Sequence, residues 1–98
     1  MSFAITFSPA AIKDLDEAFE WYESRLSDGL AQKFIAELNN TFNKLAITPG
    51  IGSIRYENIR CTMVNKFPYI IHYSVNADVQ EIIVYRIFCT YQKPLWED

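Results

Sequence analysis

Phe3, Ile5 and Phe7 alternate with Ala4, Thr6 and Ser8, the period of two expected of a strand with one buried face. At Ser8-Pro9 the period changes. Ser8 suits an N-cap and Pro9 suits the first helical position, where a missing donor costs nothing. Ile12, Leu15, Phe19, Tyr22 and Leu26 then recur at intervals of three and four, predicting a helix to about Arg25 or Leu26. Ser27-Asp28-Gly29 is a tight connection. Leu30, Phe34, Leu38, Phe42 and Leu45 repeat the stripe until Thr48-Pro49-Gly50 stops it. Two amphipathic helices on so short a link pack as an antiparallel hairpin.

Beyond a brief extended piece around Ile54 and Tyr56, three strand-like runs follow: Ile59 to Val64, Tyr69 to Val75 and Glu81 to Phe88. Asn65 to Pro68 and Asn76 to Gln80 have hairpin length and turn chemistry, so neighbouring strands are expected to be antiparallel. The fold class is therefore α+β, an antiparallel sheet packed on a helical hairpin in the order β-α-α-β-β-β.

Alternation divides the meander into two faces. Ile59, Cys61, Met63, Tyr69, Ile71, Tyr73, Val75, Ile83, Tyr85 and Ile87 form an apolar set expected under the hairpin. The other face is expected to carry Arg60, Thr62, Val64, Ile70, His72, Ser74, Ile82, Val84, Arg86 and Phe88. Each of its three strands contributes one basic side chain.

Composition sets limits on this plan. The 98 residues, half of them hydrophobic, are expected to form a single domain over 1–98. No apolar run has the length of a membrane span, and the N-terminal residues lack signal-peptide organisation, so the expectation is a cytoplasmic protein. Cys61 and Cys89 have neither CxxC spacing nor histidine pairs beside them, and neither a metal site nor a cofactor site is read from the chain. The net charge of -3 argues against nucleic-acid binding by bulk attraction to phosphate. Residues 1–49 hold seven acidic and four basic side chains, residues 50–98 five of each, so the acidity belongs to the helices, where it reads as a solvated face.

Arg60, His72 and Arg86 on one side of a sheet, with Arg55 and Lys66 in flanking loops, suit a phosphodiester. Guanidinium groups hold phosphate and stabilise transition-state charge, while His72 or Tyr91 moves a proton or stacks on a base. The same residues fit a merely solvated sheet face equally well. Cys89 at the strand end has core-facing parity and reads as packing.

The stretches SPAAIKDLDEAFEWYESR, AQKFIAELNNTFNKLAITPG, KFPYIIHYSV and IIVYRIFCTYQKPLW together resemble the RelE/ParE superfamily of bacterial toxins over nearly the whole chain, and more closely its ParE-like members. The resemblance implies a type II toxin of plasmid-stabilisation type, neutralised in a hetero-oligomer by a cognate antitoxin. ParE-like members poison DNA gyrase. RelE-like members cleave messenger RNA on the ribosome, and their catalytic residues would fall on Arg60, Arg86 and Tyr91, with His72 as a further proton-transfer candidate. A degenerate, non-toxic antitoxin-binding module is the third reading. Where related sequences carry a stretch resembling FHTSRNP, this chain reads FCTYQKP, with Cys89 at the histidine and Gln92 at the arginine. On the resemblance, that removes a proton-transfer group and a charge and favours the gyrase reading.

Overall fold

A computed structural model describes residues 2–24 and 29–90. Strand β1 (Ala4–Phe7) leads into helix α1 (Pro9–Glu23), followed by α2 (Leu30–Ile47) and one 3-10 turn over Pro49–Ile51. Four strands complete the chain: β2 (Ser53–Tyr56), β3 (Ile59–Met63), β4 (Tyr69–Asn76) and β5 (Glu81–Cys89). They form one five-stranded sheet in the order β1-β5-β4-β3-β2. β2 to β5 make an antiparallel meander, while β1 pairs parallel to β5, Ala4 opposite Glu81 and Phe7 opposite Val84. The expected order of elements holds, and the sheet is mixed, because alternation in β1 specified its buried face and left its neighbour open.

The anticipated cap is present. Ser8 Oγ accepts the Ala11 N–H at 3.1 Å and donates to Tyr85 O at 2.7 Å, and Ser8 N–H donates to Val84 O. The cap thus closes the first turn of α1 and fastens it to β5. Within α1 the buried residues are Ala11, Ala18 and Tyr22, whereas Ile12 is half exposed. The inward stripe runs through the small alanines, which let the helix lie close to the sheet. Arg25, Leu26, Ser27 and Asp28, assigned above to the end of the helix and the connection, lie outside the described residues. Gly29 takes a positive φ of 73° immediately before α2, a conformation that glycine adopts without the clash a Cβ brings.

Aromatic side chains join the hairpin to the sheet. Phe34 of α2 lies 5.2 Å from both Phe67 and Tyr69, and Tyr22 of α1 lies 4.9 Å from Phe34. Ile71, Tyr73, Ile82, Val84 and Ile87 supply the sheet side of this core.

Two register details correct the expected faces. In β5, Arg86 pairs with His72 but Val84 pairs with Tyr73, so Tyr85 is an extra residue in a bulge. One inserted residue reverses the parity of everything before it. Ile82 and Val84, expected outside, are therefore fully buried in the core, and Tyr85, expected inside, is exposed. In β3, Arg60 pairs with Tyr73 and Cys61 with His72. Val64 accordingly enters the hairpin-side core and Arg60 shares its side, while Cys61 and Met63 turn to the opposite face.

Candidate functional site

The face away from the hairpin centres on His72 and Arg86, which are cross-strand partners on β4 and β5. His72 is completely buried although it points away from the main core. Tyr56 from the end of β2 places its hydroxyl 3.3 Å from His72 Nδ1, and Cys61 Sγ lies 3.6 Å from the same atom. The Phe88 ring stands edge-on to the imidazole with centroids 5.8 Å apart. These groups form a second, small packed layer on a face where alternation predicts the basic cluster of Arg60, His72 and Arg86, whether phosphate-binding or merely solvated.

Burial, and then the neighbouring guanidinium of Arg86, lowers the His72 pKa from 6.5 to about 4, with Asp14 opposing. The imidazole is neutral at pH 7. Burial also raises the Cys61 thiol and the Tyr56 phenol above their ordinary values. Both groups therefore hold their protons beside His72. A nucleophilic cysteine needs a thiolate stabilised by a nearby cation, and this pair is neutral on both sides.

Arg86 is committed elsewhere. Its Nε donates to Asp14 Oδ2 at 2.7 Å and its Nη2 to Asp14 Oδ1 at 3.0 Å, a two-pronged pair. The Ile87 N–H also donates to Asp14 Oδ2, at 2.9 Å. Local sequence explains the geometry. β1 ends opposite Val84, the Ser8 cap turns the chain into α1, and the helix passes along the edge of β5 that β1 no longer covers. Asp14 meets that edge and accepts the Ile87 N–H there. The guanidinium carbon also sits 4.6 Å from the Phe88 ring centroid.

Arg60, expected beside His72 and Arg86, is not brought to them. Its register turns it to the hairpin side, where Nη1 donates to Gly52 O at 2.7 Å. It closes a structural knot in which Tyr73 Oη donates to Pro49 O at 2.8 Å and accepts the Gly52 N–H at 2.9 Å. A Cβ at Gly52 would stand 2.7 Å from both Cys61 O and Tyr73 Oη, so only glycine fits. Tyr91 lies outside the described residues. Lys66 reaches Glu37 at 3.9 Å, and Arg55 borders a shallow cleft with Cys61, Thr62, Met63 and Ile70.

Reading from sequence missed Asp14, Tyr56 and Cys61. Asp14 was indistinguishable from the other acids of α1, and nothing local announced that β1 would stop short of Ile87. An adjoining cleft of about 440 Å³ lies between α1, the start of β4 and the end of β5, lined by Asp14, Glu17, Ala18, Trp21, Tyr69, Ile87 and Cys89 among others. Cys89 packs against the main core, as its parity indicated. Among the described residues, no group of three or more histidine, cysteine, aspartate or glutamate side chains is placed to hold a metal ion, and no helix is long and apolar enough to cross a membrane.

The family model for the ParE toxin of the type II toxin-antitoxin system parDE matches residues 5–94. The chain belongs to the ParE toxin family. No curated protein matches it in sequence. Among solved structures, a chain of the chromosomal ParDE system of P. aeruginosa superposes with a TM-score of 0.73 at 18% identity, covering 90% of this chain and 96% of that one. The isolated E. coli RelE toxin gives 0.65 at 12% identity, covering 97% and 92%. A chain of the RelBE2 toxin-antitoxin complex of Mycobacterium tuberculosis gives 0.63 at 16% identity, covering 91% and 99%. At these identities the structures establish a shared fold. This ParE-family chain is thus a type II toxin by family, with the RelE/ParE arrangement of a helical hairpin on a mixed sheet.

Proposed function

We propose that the chain inhibits growth by protein contact with DNA gyrase, is neutralised by a cognate antitoxin, and works in the cytoplasm without a nuclease step. The observation that carries this reading is the state of three of the four residues a nuclease would need, the fourth, Tyr91, lying outside the described residues. Arg60 is spent on Gly52 O, Arg86 is paired with Asp14, and His72 is buried and neutral. Phosphodiester cleavage requires a cation open to the phosphate and a proton donor titrating near working pH. The family match to ParE and the structural likeness to a ParDE chain support the same choice.

Induction of the chain alone in bacteria is expected to stop growth with a DNA-damage response and altered plasmid supercoiling, and co-expression of the product of an adjacent short antitoxin reading frame is expected to relieve both. Prompt loss of translation with unchanged supercoiling would overturn the gyrase target. The ribosome-dependent endoribonuclease is the second reading, favoured by the adjacency of Arg86 and His72 across β4 and β5. It requires that Arg86→Ala abolish messenger RNA cleavage ends mapped after induction.

A further inference from the structure

Arg86 is the cross-strand partner of His72 on the sheet face, and its own ion-pair partner comes from a distant part of the chain. Asp14 lies 72 residues away and reaches Arg86 only because α1 crosses the β5 edge where β1 stops. The Nε and Nη2 edge of the guanidinium, one of its two edges that can fork onto a carboxylate or a phosphate, is filled by both Asp14 oxygens. Asp14 is held in place by the Ile87 N–H as well, and its side chain is only 10% exposed against 31% for Arg86. A phosphate competing for that edge must displace an anion that is tethered, fixed by three hydrogen bonds and already desolvated, and one approaching the other edge meets a cation whose charge is already offset. The pair presents no net charge, and His72, Cys61 and Tyr56 beside it are neutral.

We propose that Asp14 is the specificity-determining residue of this face: by neutralising Arg86 it weakens the hold of the guanidinium on phosphate, so that the face rejects a nucleic-acid strand. The inference rests on the proposed function and deepens it, since it names the residue that sets the class of target. It also gives an acidic residue of α1 a role that its neighbours on the solvated side lack. Asp14 is a positioning residue here, acting through Arg86.

The test measures binding of a labelled single-stranded RNA oligonucleotide to the purified full chain at several salt concentrations. Asp14→Asn keeps an oxygen for the Ile87 N–H and removes the charge. It is expected to raise affinity about tenfold, the value of one charge-assisted contact, and to steepen the dependence of log affinity on log salt by about 0.7. Asp14→Glu is expected to remain like wild type, and Asp14→Asn with Arg86→Ala to lose the gain. A folded Asp14→Asn chain with unchanged affinity and slope overturns the inference, as does a gain that persists without Arg86. If Asp14→Asn fails to fold, the Arg86 Nε–H resonance of the wild-type chain decides: it is expected to stay in place on addition of the oligonucleotide, and a shift overturns the proposal. Failure of the gyrase reading would appear instead in supercoiling after induction, which this binding assay does not read.

Discussion

Asp14 of α1 and Arg86 of β5 meet through two hydrogen bonds of 2.7 and 3.0 Å, and the same carboxylate accepts the Ile87 N–H. One side chain therefore neutralises the sheet face, fastens α1 to β5 and completes the backbone pairing of a strand whose neighbour has ended.

Truncating that side chain removes all three contacts. Asp14→Ala is expected to cost about 2–3 kcal/mol, below the full value for a buried pair because Arg86 is partly solvated. Asp14→Asn, which still offers an oxygen to Ile87, is expected to cost roughly half as much. Urea denaturation of the two variants, read as midpoint shifts at constant slope, measures the difference.

His72 predicts a pH dependence. Its pKa falls from 6.5 to about 4 on folding, so between those values the unfolded chain binds a proton that the folded chain refuses. Stability from this group is complete above pH 6.5 and is lost as pH falls toward 4. At pH 5 the expected loss relative to pH 7 is roughly 2 kcal/mol. The chain has a single histidine, so NMR titration of the imidazole Cε1 proton reads the pKa directly, and an inflection near 6.5 in the folded protein would contradict the burial.

The knot around Gly52 makes a paired prediction. Tyr73→Phe leaves the Gly52 N–H and Pro49 O without the hydroxyl they share, at an expected cost of about 1–3 kcal/mol. Gly52→Ala pushes a methyl against both Tyr73 Oη and the Cys61 carbonyl and is expected to be at least as harmful. Adding Tyr73→Phe to Gly52→Ala should not rescue it, because the carbonyl contact remains. Thermal unfolding of the single and double variants checks the order.

Cys61 is expected to resist alkylation. It is 8% exposed, and burial raises its thiol pKa, so iodoacetamide at pH 7.5 should label it only after denaturant exposes it. Mass spectrometry with and without urea separates the two conditions. Rapid labelling in the folded chain would mean that the layer around His72 opens readily.

These outcomes depend on features that differ in how plainly the chain announces them. The helical hairpin was legible because Phe34, Leu38 and Leu45 keep helical spacing, and the Ser8-Pro9 start follows from the chemistry of a cap. β4 was legible because Tyr69, Ile71 and Tyr73 alternate without interruption. β5 was not, since alternation assigns faces only until a residue is inserted, and Tyr85 is such a residue. The placement of Arg60 failed for another reason. The run Ile59 to Val64 has apolar residues at both parities, Val64 on one and Ile59, Cys61 and Met63 on the other, and a basic side chain at its margin can reach a carbonyl on the core side as readily as water on the other. Asp14 acquires its role from an edge created 70 residues later, which no local pattern records.

The parallel pairing of Ala4–Phe7 with residues 81–84 also governs when the protein can exist. β1 is made well before its partner, because β5 must emerge before β1 has a ladder to join, and pairings this distant in sequence form slowly. During synthesis the hairpin can collapse early, yet the His72 and Arg86 face waits for the last strand of the sheet. A ribosome making this chain therefore carries no assembled face until β5 has emerged from it.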